Sequence, residues 1–221
     1  GPIWIEPLFN KYTPLPQGEV REALEVLAKQ ANIQPDRIFV YDGSRQSNRF
    51  TANVSGLGSS ARIAISDVAL TSASLDEVKA VTGHEIGHYV SDHIWNLIGT
   101  AVLMSMIFFY LSNAMFMKVA TLMGAKASIA EPRGVAVLLV CISFLSLLAQ
   151  PVTNYVIRKG ETEADQYSYK AVNLPDAMAS ALVKTAEYRD PRPHPLQELI
   201  FYTHPSVEKR VRAAMEWKAQ H

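Results

Sequence analysis

Two stretches without a charged side chain, residues 94–117 and 134–157, constrain this chain more than anything else in it. Each is about 24 residues long, and a helix needs about 20 to cross the hydrocarbon layer of a bilayer. The first contains Val102-Leu103-Met104-Ser105-Met106-Ile107-Phe108-Phe109 and the second Val135-Ala136-Val137-Leu138-Leu139-Val140-Cys141-Ile142. Two core helices buried on every side would carry the same signature. A chain of 221 residues has too little left to surround such a pair, so the pattern predicts a transmembrane helical hairpin. It divides the sequence into residues 1–93, the hairpin 94–157, and residues 158–221. Two crossings return the chain to the side it left, so the outer parts are expected to form one domain.

Composition excludes some functions. Lys plus Arg and Asp plus Glu are both 21, so no polyanionic partner such as nucleic acid is expected. The single cysteine, Cys141, rules out a disulfide framework and a cysteine zinc knuckle, and its apolar setting marks it as packing. No basic and then apolar leader opens the sequence.

Ahead of the hairpin, residues 1–17 read as a proline-rich extended arm and residues 19–31 as an amphipathic helix. Residues 37–41, 50–54 and 61–66 are strand candidates joined by glycine-rich turns, predicting a small antiparallel β-meander. Ser74 and Glu77 form a capping box that starts the next helix. Beyond the hairpin, residues 158–165, 176–188 and 206–218 read as helices, and Pro191, Pro193 and Pro195 mark a loop. The expected fold class is α+β, mainly α.

The helix from Ser74 carries His84-Glu85-Ile86-Gly87-His88. Histidines at i and i+4 share a helix face and can reach one ion, while the intervening glutamate sits beside it as a general base. A catalytic zinc takes three protein ligands and keeps one position open. His93 is a poor third ligand, because a helix continuing past His88 would carry it off the shared face; it reads as an interfacial residue. Glu161-Thr162-Glu163-Ala164-Asp165 offers a better one, with Glu161 and Asp165 on one face. Glu161 is the expected ligand and Glu163 its rival, with Asp165 orienting a ligand imidazole.

These motifs resemble those of the integral-membrane zinc proteases that include the type I CAAX prenyl endopeptidases and the HtpX-type proteases. The resemblance rests on Pro7-Leu8-Phe9-Asn10, Asp42-Gly43-Ser44-Arg45, Thr51-Ala52-Asn53-Val54-Ser55-Gly56 and Arg62-Ile63-Ala64-Ile65-Ser66-Asp67. It continues through the His84–His88 motif, Glu161–Asp165, and His204-Pro205-Ser206 with Arg210. It implies a zincin-type core around one Zn²⁺ held by His84, His88 and Glu161, with Glu85 as general base. It further implies His204 facing the reacting carbonyl, Arg210 beside Asp165, and Thr51, Ala52, Asn53, Val54 and Ser55 as the edge that takes a peptide substrate as an added strand. CAAX enzymes carry Asn-Ala-Tyr where this chain has Thr51-Ala52-Asn53, which weakens any transfer of prenyl-substrate specificity.

The expected activity is therefore zinc-dependent hydrolysis of peptide bonds in membrane-associated, unfolded or C-terminally processed proteins. The expected setting is a bilayer, the bacterial inner membrane or an equivalent, with the site on the cytoplasmic side. The chain resembles the C-terminal part of a larger membrane protein. Two other readings stand beside this one: a catalytically silent membrane-anchored scaffold, and a soluble protease whose apolar hairpin drives oligomerisation.

Overall fold

A computed structural model describes residues 8–186 and 190–221. Pro7 and residue 188, at the end of the expected 176–188 helix, lie outside the described residues.

Strand β1 (Tyr12–Pro14) is followed by helix α1 (Glu19–Gln30), β2 (Ile38–Tyr41), β3 (Ala52–Ser55), β4 (Arg62–Ser66) and a short helix α2 (Asp67–Ser72). The strands form one sheet in the order β1-β2-β4-β3. The arm therefore contributes a strand. The sheet is also not the antiparallel meander expected: β3 and β4 form an antiparallel hairpin, but β4 pairs parallel with β2. The reason lies in the connections. The 10 residues between β2 and β3 are too many for a tight hairpin, so β3 swings past and β4 returns into the gap, leaving β3 on the edge. Gly56 (φ 94°) and Gly58 (φ 54°) make the β3–β4 turn in a backbone region that glycine enters without steric penalty.

Helix α3 (Leu75–Val90) starts at the expected capping box, Ser74 Oγ accepting from the Glu77 amide and the Glu77 carboxylate from the Ser74 amide. It packs on the sheet through Val78 and Ile86, in a core shared with Leu24, Leu27, Ile38, Ile63 and Ile65. Burying such side chains contributes about 1.5–3 kcal/mol each. The chain then breaks at Asp92, which adopts a left-handed conformation (φ 55°, ψ 30°), one of the few open to Asp without large strain.

Helices α4 (His93–Leu122) and α5 (Val135–Val172) form the apolar hairpin. They meet near its tip through Phe116, Ala120, Val137 and Cys141. Both are long and apolar enough to cross a membrane, and none of the most apolar stretch of α4 is buried. Helix α5 continues for 38 residues, about 57 Å, with Pro151 inside it removing one backbone hydrogen bond, so the apolar arm and the Glu161–Asp165 segment belong to one helix.

That helix crosses α3 at close range. A Cβ on Gly87 would stand 2.9 Å from Ala164 Cα and 3.0 Å from its carbonyl oxygen, and one on Gly83 would stand 2.9 Å from Val172 Cγ2. Ser168 Oγ donates to the Ala80 carbonyl at 2.7 Å across the same contact. The closing helices are α6 (Pro175–Lys184), α7 (Pro195–Phe201) and α8 (Val207–Gln220). Among them α7 begins at the last proline of the expected loop, Pro191 and Pro193 lying ahead of it outside any helix, with Pro195 at its first turn where a missing N–H costs nothing. Met178, Leu182 and Ala214 pack with Ala80 and Tyr169 to hold α6 and α8 against α3 and α5.

Gly87→Ala is expected to destabilise the protein, since overpacking against backbone costs about 1–3 kcal/mol and outweighs the gain of about 1 kcal/mol in helix propensity. Chemical denaturation in detergent micelles checks this; an unchanged or raised midpoint would show that the helices do not need the close approach.

Candidate metal centre

His84 and His88 project from one face of α3, and Glu161 meets them from α5. The two Nε2 atoms are 3.1 Å apart; His84 Nε2 lies 3.4 Å from Glu161 Oε2 and His88 Nε2 lies 3.3 Å from Oε1. Zinc bonds of about 2.0–2.1 Å in a tetrahedron place ligand atoms about 3.3–3.4 Å apart, so the three donors already stand at the spacing of an ion's coordination shell. All of them lie within 4.8 Å of one another. Glu161 Oε2 is buried without a hydrogen-bond partner, and such an orphaned carboxylate oxygen is costly unless a cation meets it. Donor chemistry, spacing and the unsatisfied oxygen all fit a divalent metal.

Asp165, one turn beyond Glu161, lies 2.8 Å from His84 Nδ1. A carboxylate only accepts, so His84 keeps a proton on Nδ1, and the neutral ring turns its Nε2 lone pair toward the centre. Arg210 of α8 holds Asp165 with two bonds, from Nε at 2.8 Å and from Nη2 at 2.7 Å. Its Nη1 is 3.8 Å from Glu161 Oε2.

Charges in this pocket are strongly coupled. Without a metal, burial works against an imidazolium at His84, but the Asp165 and Glu161 carboxylates outweigh it and push its pKa up to about 9. Burial would raise Glu161, yet the His84 and His88 imidazoles hold it well below the usual carboxylate range. Asp165 is likewise lowered, by His84 and Arg210 against burial. Glu85 moves the other way: burial raises it, and the pull of His84 and His88 does not cancel that.

Glu85 lines a cavity of about 240 Å³ together with His84, Glu161, His204 and Arg210, and Thr51 and Ala52 form part of its wall. His204 Nε2 is 3.3 Å from Glu161 Oε1, on the cavity side of the donors. Arg158 fixes its approach by donating from Nη1 to the carbonyls of Glu198 and Tyr202 at the end of α7. Asn53, Val54 and Ser55 continue along β3, the edge strand.

One residue stands elsewhere than expected. His93, expected to be carried off the face shared by His84 and His88, is buried, 6% exposed, with Nδ1 2.9 Å from His88 Nδ1. The left-handed turn at Asp92 folds it back onto His88, which a continuous helix could not do. Glu163, the rival ligand, points away from the donors and meets His93 Nε2 at 2.9 Å. These two, with Arg158, are the neighbours of the site that the sequence did not reveal; a histidine just after a Ser-Asp helix stop was the available signal.

A pair of helix-borne imidazoles, a carboxylate from a second helix and a buried glutamate in one cavity define a metallopeptidase type of centre. The chain belongs to peptidase family M48, whose model matches residues 14–218. It is 31% identical to CAAX prenyl protease 1 of Saccharomyces cerevisiae, over 96% of this chain and 51% of that protein. It is 28% identical to metalloprotease YhfN of Bacillus subtilis, over the same shares of the two chains. The crystal structure of S. mikatae Ste24p superposes with a TM-score of 0.82 at 28% identity, covering 96% of this chain and 54% of that one. The chain thus spans about half the length of these relatives. The family implies a protease that uses a metal, and His84, His88 and Glu161 are residues that could hold it.

Because the His84 pKa is raised from 6.5 to about 9 in the metal-free protein, its proton stabilises the fold fully below pH 6.5, and that contribution is lost as pH rises through 9. A metal must displace the same proton, so affinity for it runs oppositely, climbing over this window. Calorimetric titration at pH 7.5 in buffers of different ionisation enthalpy is expected to find about one proton released per metal. No release would contradict a protonated His84.

Proposed function

We propose that this chain is the catalytic part of a zinc-dependent endopeptidase anchored in a membrane by its helical hairpin. The observation that carries the reading is the meeting of His84, His88 and Glu161 at one point, with Glu85 lining the cavity beside them and the β3 edge of the sheet forming part of its wall. Zinc suits a site of two imidazoles and one carboxylate. Bound there, it would acidify a water and polarise a carbonyl.

The chain's own residues account for the remaining steps. A substrate segment adds to β3 as a further strand, held by main-chain hydrogen bonds, and Thr51 and Ala52 bring it past Glu85 and His204. This mode selects an extended backbone more than a sequence, which favours flexible or unfolded segments. Glu85, its pKa raised by burial, takes the proton of the attacking water on its carboxylate and later delivers it to the leaving amide nitrogen. Addition of that water to the carbonyl carbon and rupture of the C–N bond leave one carboxylate and one amine. His204 Nε2 donates a hydrogen bond to the oxygen that becomes negative, a contact made stronger by its sheltered setting. Asp165 and Arg210 hold His84 still throughout.

Membrane anchoring is supported by the apolar side chains left on the surface of the hairpin, among them Val102, Met106, Phe109 and Tyr110 on α4 and Leu139, Phe144, Leu147 and Leu148 on α5. An exposed apolar surface of this extent on a water-soluble chain would be an aggregation site.

Glu85→Gln is expected to keep the metal and lose about 10²–10⁴-fold in cleavage of an unfolded casein-like substrate, with wild-type activity abolished by a chelator and restored by zinc. A metal-loaded Gln variant that still cuts would exclude Glu85 as the base; a wild-type protein that binds metal without cutting would indicate a silent scaffold. Solubility of the chain without detergent would remove the membrane anchor from the proposal.

A further inference from the structure

His84 has a carboxylate on its outer nitrogen, Nδ1, to set its proton, but His88, whose Nε2 faces Glu161, has no carboxylate in contact with its own Nδ1. The nearest polar group on its outer nitrogen is another ring: His88 Nδ1 is 2.9 Å from His93 Nδ1. Two ring nitrogens at this distance share one proton, and which ring owns it decides whether His88 can serve the centre. The far side of His93 gives the answer. Its Nε2 is 2.9 Å from Glu163 Oε2, and Lys159 Nζ lies 3.6 Å from the other Glu163 oxygen, favouring the ionised form. A carboxylate only accepts, so neutral His93 carries its proton on Nε2 and offers a lone pair at Nδ1. The proton between the rings is then on His88 Nδ1, and His88 Nε2 turns its lone pair toward His84 and Glu161.

We propose that His93 and Glu163 are positioning residues for His88: a Glu163–His93–His88 relay that fixes the tautomer and ring orientation of His88 as Asp165 fixes those of His84. The two imidazoles of the motif are thus served by carboxylates only four residues from, or two residues from, Glu161 on α5, one directly and one through an interposed ring. Asp92 is part of the device, since its left-handed conformation (φ 55°) delivers His93 to this place. The side chain of His93 is 8% exposed while that of Glu163 is 42% exposed, so the relay reaches from the buried donors to the protein surface. Lining residues of the cavity behind the donors, His88, His93, Glu161 and Glu163, keep the relay separate from the wall formed by Glu85 and His204.

The inference rests on the metal-centre reading, and zinc affinity measured by chelator competition on the whole detergent-solubilised chain distinguishes the two. Absence of zinc binding by the wild type would sink both. His93→Leu is expected to weaken zinc binding about 10–100-fold, the usual effect of removing a ligand's supporting partner. His93→Asn is expected to recover most of it, because Oδ1 takes the place of Nδ1 and accepts the His88 proton without help. Glu163→Ala should then weaken binding severalfold in the wild type and hardly at all in the His93→Asn background. The thermal midpoint of each metal-free variant serves as the control for folding. Should His93→Leu fail to fold, the more exposed Glu163 and the His93→Asn pair carry the test. Zinc affinity unchanged by His93→Leu, an Asn variant as weak as the Leu variant, or a Glu163→Ala effect of equal size in both backgrounds would overturn the relay.

Discussion

The contact between α3 and α5 is the constraint on which the rest of the structure depends. Two glycines of α3, Gly83 just before the His84–His88 motif and Gly87 within it, bare the α3 backbone where α5 crosses, so that Ala164 and Ser168 lie against it. Interiors are packed to crystal-like density, and one methylene at such a crossing shifts whole elements. Here the shift would be transmitted to Glu161, which is three residues before Ala164. Glycines that look like spacers around the donor histidines therefore set the distance between two halves of a donor set.

Charge is the second organising element. Glu161 and Asp165 are both buried, and one guanidinium, Arg210, is bonded to Asp165. Breaking such a pair would strand a buried charge, which is far more costly than never burying it. Without a metal, a proton on His84 supplies positive charge opposite Glu161, beside the Arg210 guanidinium 3.8 Å away. A divalent cation bound there would replace that proton with a stronger charge, so different cations would hold the site together in the two states.

Much of this was legible in the sequence because it follows from periodicity and spacing. Charge-free runs of helix-spanning length marked α4 and α5, and the i, i+4 spacing placed His84 with His88 and Glu161 with Asp165. The capping box at Ser74 and Glu77 marked the start of α3. The sheet was read less well, since the parallel pairing of β2 with β4 is decided by the long path between β2 and β3 and not by any residue in a strand. His93 was misplaced for a related reason. Periodicity assumes that a helix continues, and one residue with positive φ, Asp92, breaks that assumption and moves every later side chain. The α7 turn went unseen because prolines that usually interrupt a helix can also begin one.

Helix α5 serves both as the return arm of the apolar hairpin and as the carrier of Glu161. Ile157, the last residue of the uncharged run, and Glu161 are about one helical turn apart, roughly 6 Å along the axis. Helix α5 continues between them, and the proline of this helix, Pro151, lies on the apolar side of Ile157, so the donor carboxylate stays within a turn of the end of the uncharged run. On the proposed reading, a chain to be cut would have to be slack enough to come down to the apolar girdle. Reach, more than sequence, would then be the gatekeeper.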